Sequence, residues 1–230
     1  MTTRQAGPGA VASTGVDDVI DIDVWSDVQC SWCYIGKRRF ESAVQRFDGE
    51  VRVHLHTFEL APDAPVDIDV DATTFLMRAR GVGPEQAAGM HGAMVELAAA
   101  EGLEYRFDRL QPTNSALAHE LLQLAGAHGV QQAMLERLFR AYFTEGRHIG
   151  HHDELADLAA EVGLDRAFVV TALREHRHLA DVRRDAAQAR ALGVRSVPFF
   201  VLDGKYGVAG AQTSAAFVDI LDQVRAGRNG

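Results

Sequence analysis

The chain has 230 residues, 47% of them hydrophobic, with 23 basic against 32 acidic side chains and a net charge of −9. That is enough apolar material for one large domain or one domain carrying an insertion, and the acidic balance argues against a nucleic-acid binder, which presents a basic surface. No stretch approaches the ~18 consecutive apolar residues of a membrane span, so neither nucleic acid nor membrane is expected as a partner.

Residues 1–17 are rich in Gly, Ala and Thr, contain Pro8, and lack the apolar core of a secretory signal. They read as a flexible tail. With only two cysteines in the chain, the expected location is the cytoplasm, where disulfides are usually transient and catalytic. From Val19 to Trp25, Ile20, Ile22 and Val24 alternate with Asp21 and Asp23, the period of a half-buried strand. Both cysteines follow as Cys30-Ser31-Trp32-Cys33, and then Phe40, Ala43, Val44 and Phe47 recur at helical spacing. Lys37, Arg38, Arg39 and Glu41 fall outside that stripe and read as a solvated face.

Two thiols three positions apart at a strand-to-helix junction read as a thioredoxin-like redox motif. Cys30 falls at or just before the first helical position, where unpaired N–H groups and about half a positive elementary charge face the sulfur. That setting favours the thiolate, which is the nucleophile. Cys33 lies one turn on and is better covered, so Cys30 is expected to attack and Cys33 to resolve. The competing reading, two chance core cysteines, explains neither the spacing nor the junction.

Val51, Val53 and Leu55 alternate with Arg52, His54 and His56 in a second strand, with both histidines expected on its exposed side. Pro62, Pro65 and the aspartates from Asp63 to Asp71 mark a loop. The pattern is then helical to Leu192. Pro84 opens an Ala-rich stretch ending at Gly102, and Thr113 or Asn114 can cap a helix running to Gly129. Met134 to Tyr142 form another helix that stops at Gly146, Leu155 to Val162 a further one, and Asp165 caps the next. A last helix of this block runs from about Leu179 to Leu192. Pro198 to Leu202 then form a strand, Asp203-Gly204 a hairpin turn, Tyr206 to Val208 a strand, and Thr213 caps a final helix. The order β-α-β, helices, β-β-α predicts an α/β fold: a four-stranded mixed sheet of thioredoxin type, residues 18–65 and 194–228, with an all-helical insertion at 66–193.

The segment Asp27-Val28-Gln29-Cys30-Ser31-Trp32-Cys33-Tyr34-Ile35-Gly36-Lys37 resembles the active-site signature of the DsbA-like, FrnE-type thioredoxin-fold proteins. The resemblance extends to Asn114-Ser115 with His119, to residues 141–146, to residues 192–200 and to Gly210-Ala211-Gln212. It implies thiol–disulfide oxidoreductase chemistry at Cys30 and Cys33, and a cis-proline at Pro198 whose neighbour Val197 faces the cysteines. The family usually has Pro where this chain has Ser31; the first helical position tolerates Pro without needing it, so this bears on redox poise and not on fold. Ser31, Trp32, Val197 and Pro198 are the expected substrate-binding residues, with Trp32 as an apolar lip and Tyr34 as packing. No bound cofactor is expected beyond the redox-active disulfide, with glutathione or another thiol as electron donor and a disulfide-containing protein or small thiol as substrate.

Three alternatives fit the residues less well. Kappa-class transferases and 2-hydroxychromene-2-carboxylate isomerases resemble this architecture but carry Ser at the position of Cys30, and a non-catalytic chaperone-like binding module would not need both thiols. A zinc site of Cys30 and Cys33 with His148, His151 or His152 lacks finger spacing, so no metal is expected and those histidines read as polar residues at a helix entrance. The Ser31-Trp32 dipeptide supplies no cation, which predicts a mild redox couple.

Overall fold

Alternation in the first strand determines which side of the sheet is covered. The structure, a computed structural model, describes residues 19–228; the expected flexible tail, residues 1–17, lies outside them. Strand β1 (Val19–Ser26) buries Ile20, Ile22 and Val24 on one face and leaves Asp21 and Asp23 on the other, as a period of two requires. Helix α1 (Ser31–Arg46) returns the chain to β2 (Glu50–Thr57), which pairs parallel to β1 with Ile22 opposite Val53. Seven α-helices follow among the described residues: α2 (Ala72–Arg80), α3 (Pro84–Ala100), α4 (Ala116–Ala127), α5 (Gln131–Arg140), α6 (His152–Glu161), α7 (Arg166–Arg174) and α8 (Leu179–Ala191). A π-helical turn at Ala141–Glu145 extends α5 and ends at Gly146.

The chain then re-enters the sheet as β3 (Phe199–Leu202) and β4 (Tyr206–Ala209) and closes with α9 (Ser214–Arg228). The strand order is β2-β1-β3-β4, with β3 antiparallel to both of its neighbours. The β3–β4 turn places Asp203 and Gly204 at φ of 52° and 65°, with Lys205 N donating to Leu202 O at 3.0 Å. Two consecutive left-handed residues are what this tight hairpin demands, and Asp-Gly supplies them. This is a thioredoxin fold with its helices inserted between β2 and β3, as the element order predicts.

Two apolar cores result. One lies between the sheet and the α1–α9 pair, where Phe40, Phe200 and Phe217 pack ring against ring at 4.8–5.3 Å around Ile20, Ile22 and Leu221. The other fills the helical layer with Leu121, Met134, Leu138, Phe139, Leu155 and Leu173, and continues without a break to Trp25, Cys33, Tyr34 and Ile35.

A polar fastening joins the helical layer to the sheet. Asp185 of α8 is buried and accepts from Thr57 N at 2.8 Å, Thr57 Oγ1 at 3.1 Å and Gln123 Nε2 at 2.6 Å. His56 lies between Asp185 and Asp23, its Nδ1 3.2 Å from the first carboxylate and its Nε2 2.7 Å from the second, and it stacks on Trp25 at 4.5 Å. The expectation of an exposed histidine fails here, because α8 covers this end of β2; His54, by contrast, is half exposed beside Asp21.

Burial alone would disfavour the charge on His56, but the hydrogen bonds and charges of Asp185 and Asp23 outweigh it, and its pKa is raised. A raised folded-state pKa stabilises the fold fully below the unfolded value of about 6.5, and the contribution fades as pH climbs through the folded value. The denaturant midpoint is therefore expected to fall more between pH 6 and pH 9 in the parent chain than in His56→Gln. Parallel pH profiles for the two proteins would show that His56 carries no such linkage.

Candidate active site

The turn that delivers the cysteines is organised by one carboxylate. β1 ends at Ser26, whose carbonyl accepts from Phe58 N at 3.0 Å. The next residue, Asp27, is 1% exposed. Its backbone carbonyl accepts from Cys30 N (3.0 Å), its Oδ1 from Gln29 N (3.0 Å) and its Oδ2 from Leu60 N (2.8 Å). His119 of α4 approaches the same carboxylate, with Nε2 3.3 Å from Oδ1. Cys30 is thereby held as the N-cap of α1 in an extended conformation, φ −84° and ψ 109°. Cys33 follows one turn in, its N–H donating to Cys30 O at 2.9 Å.

The two thiols differ in cover. Cys30 is 9% exposed and Cys33 2%. Burial first, then the hydrogen bond and charge of the neighbouring Cys30 sulfur, push the Cys33 thiol well above its ordinary pKa; Ser26 and the Asp27 backbone pull the other way and do not prevail. A cavity of 530 Å³ lies beside Cys33, lined among others by Ser26, Phe40, Leu55, Leu135 and Pro198.

Of the expected substrate-side residues, Val197 and Pro198 do come to the thiols: the Cys30 Sγ donates to Val197 O at 3.5 Å, and the Val197–Pro198 bond is cis, as the resemblance implies. Gly36 makes the close approach of α1 and Pro198 feasible, since a Cβ there would lie 2.8 Å from Pro198 Cγ. Trp32 is 41% exposed at the surface of the site. Ser31 is half-buried, and its carbonyl accepts from Tyr105 OH at 2.7 Å. Tyr34 is buried and stacked on Phe139 at 4.7 Å, the packing position expected of it.

The solvated face expected for Lys37, Arg38 and Arg39 is corrected by the structure. Glu136 of α5 accepts from Lys37 Nζ (2.6 Å), Arg38 Nη2 (2.7 Å) and the Tyr34 hydroxyl (2.7 Å), while Arg39 pairs with Glu101 at 2.6 Å. Helical periodicity identifies the apolar stripe, but it does not show that the charged flank of α1 meets carboxylates from an inserted layer. The histidines at 148 and 151 do stand at a helix entrance, that of α6; among the described residues they group with Asp67 and not with Cys30 and Cys33.

Three residues of the site carry no role in the sequence reading. Asp27 and His119 belong to the resembling segments, yet only folding brings them together across 92 positions. Tyr105 has no local signal, because the group it holds lies 74 positions away.

A thioredoxin sheet that hands two thiols to a helix N-terminus is the framework of the thiol–disulfide oxidoreductases. Within that class, the chain belongs to the family of DSBA-like thioredoxin domains, whose model matches residues 21–222. It is similar to the probable DsbA oxidoreductase SCO1869 from Streptomyces coelicolor, at 37% identity over 90% of each chain with a TM-score of 0.85. It is 31% identical over 188 residues to the uncharacterized protein YwbO of Bacillus subtilis (strain 168), covering 80% of this chain and 86% of that one. It also resembles the cytosolic disulfide reductase DsbM from Pseudomonas aeruginosa in its structure with GSH, at 25% identity and TM-score 0.57 over 90% of this chain and 96% of that one.

Tyr105→Phe keeps the ring stack and removes only the bond to Ser31 O. It is expected to cost about 0.5–1.5 kcal/mol, whereas Tyr105→Ala also empties the stack and should cost about 3–5 kcal/mol, both read by urea unfolding. Equal losses in the two variants would mean that the hydroxyl carries the whole effect and the ring none, and no loss in Tyr105→Phe would mean the reverse.

Proposed function

We propose that the protein is a disulfide oxidoreductase/isomerase in which Cys30 is the attacking thiol and Cys33 the resolving one. The carrying observation is the unequal placement of the pair: Cys30 caps α1 with its sulfur at Val197 O, while Cys33 is 2% exposed and held as a thiol by burial and by Cys30. In the reducing direction the Cys30 thiolate attacks one sulfur of a substrate disulfide. That bond breaks, one substrate thiolate leaves, and a mixed disulfide forms. Cys33 then gives up its proton and attacks the Cys30 sulfur, releasing the second substrate thiol. Two electrons have passed to the substrate and the protein holds a Cys30–Cys33 disulfide. Two equivalents of glutathione or another thiol restore the dithiol, and the steps run backward for oxidation. Trp32 forms the apolar lip of the substrate groove. Ser31, Val197 and Pro198 form its polar floor and wall, with the Val197 backbone pairing to an extended substrate segment.

The similarity to a cytosolic disulfide reductase determined with GSH supports both a glutathione-class donor and a cytoplasmic setting. Both thiols being present favours disulfide exchange over the glutathione-dependent isomerase chemistry that uses Ser in place of Cys30. The surroundings also argue for a mild couple. The nearest cations on α1, Lys37 and Arg38, are neutralised by Glu41 and Glu136, and the Ser31-Trp32 dipeptide adds none.

Limiting iodoacetamide near neutral pH, followed by peptide mapping, is expected to modify Cys30 before Cys33, and Cys33→Ser should accumulate mixed disulfides through Cys30. First labelling at Cys33 would reverse the two roles.

Equilibration against glutathione at known ratios, read by thiol trapping, should place the couple between roughly −180 and −270 mV. A value near −120 mV, that of a strong oxidant, would sink the reductase reading and require a source of thiolate stabilisation outside the dipeptide.

A further inference from the structure

We propose that Asp67, His148 and His151 form a binding site for one divalent transition-metal ion of the zinc class, which fastens the loop between β2 and α2 to the entrance of α6. The site is independent of the thiol chemistry and would stand if that reading failed.

The three side chains come from two distant segments and each offers one donor atom, all within 4.8 Å of one another. Asp67 Oδ1 lies 2.8 Å from His151 Nε2 and 3.7 Å from His148 Nε2. An ion bonded to imidazole nitrogen and carboxylate oxygen at about 2.0–2.2 Å needs its donors roughly 3–4 Å apart; the Asp67–His148 separation already falls in that range, and the Asp67–His151 separation must open by a few tenths of an ångström. The two rings are stacked at 3.8 Å and 12°, and His148 Nδ1 accepts from Gly150 N at 3.2 Å. Turning the His148 ring out of the stack to aim at an ion exchanges that long contact for a coordinate bond. Two imidazoles and one carboxylate suit zinc, nickel or copper, whereas calcium and magnesium take oxygen ligands.

The backbone on both sides is held in place. Thr113 Oγ1 donates to Val66 O at 2.7 Å, and Asn114 Nδ2 donates to Pro62 O at 3.1 Å and Ala64 O at 3.0 Å, fixing the chain just before Asp67. On the other side, Gly150 lies between the two histidines, and a Cβ there would collide with Thr113 Oγ1 and press on Val66 Cγ1 at 3.0 Å. The missing side chain lets the 148–151 turn sit directly on the 66–67 segment. A cavity of 410 Å³, lined also by Asp69 and Gln111, opens in front of the three donors and leaves room for water in the remaining coordination position. The same frame reaches the thiols, because Thr113 O accepts from Gln29 Nε2 at 2.6 Å, one residue before Cys30.

The test uses the full chain with both thiols blocked by N-ethylmaleimide, so that Cys30 and Cys33 cannot ligate. Calorimetric titration with zinc chloride is expected to show one ion per chain. Asp67→Asn, His148→Ala and His151→Ala should each weaken binding about tenfold or more, while His54→Ala leaves it unchanged. Cobalt(II) should give a visible absorption band in the parent chain that His151→Ala abolishes. Should a histidine variant fail to fold, Asp67→Asn still decides the matter, since Asp67 is exposed. No heat of binding up to about 1 mM zinc, or an affinity that survives all three substitutions, would overturn the proposal.

Discussion

The carboxylate of Asp27 is the point on which the site hangs. It is buried where β1 runs out, and it gathers N–H groups from the turn before α1, from the chain after β2 and a ring nitrogen from α4. Taking a carboxylate out of water costs several kcal/mol, and hydrogen bonds to a charged group return roughly 1.5–3 kcal/mol each. Several are needed for the exchange to come out even, and Asp27 has them. The result is that three separate parts of the chain agree on where Cys30 begins the helix.

From that turn the asymmetry of the thiols follows. A helix start leaves its first N–H groups without intrahelical acceptors, and Cys30 stands at that end. One turn further on, the helix, the sheet and the inserted layer close around Cys33. The difference between the two sulfurs is therefore first one of position along α1, and it needs no neighbouring cation. Lys37, Arg38 and Arg39 of α1 are paired with Glu41, Glu101 and Glu136, and the bonds to Glu136 and Glu101 fasten the helix to α5 and to the end of α3.

The inserted helices hold the sheet at polar points as well as through their apolar core. Asp185 grips the end of β2, Glu136 grips the flank of α1, and Tyr105 grips the carbonyl between the cysteines. Apolar packing is non-directional and would tolerate small sliding of the layer. Hydrogen bonds of defined geometry do not, and these three set the helical layer in one register against the thiols.

The sequence by itself determined the main elements and the place of the two cysteines. Period-two alternation marks β1 and β2, Asp203-Gly204 marks the hairpin, Asp165 and Thr213 cap the helices they precede, and Cys30 and Cys33 stand at a strand-to-helix junction, because each of these signals is written within a few residues. Tertiary structure alone decided that Lys37 and Arg38 are paired and not solvated, that His56 lies between two carboxylates, that Tyr105 holds Ser31, and that Asp67 meets His148 and His151. In each case at least one partner is 74 or more positions away. A side chain's local pattern reports which face it occupies. What covers that face depends on how the inserted helices fold back, and no local period encodes it.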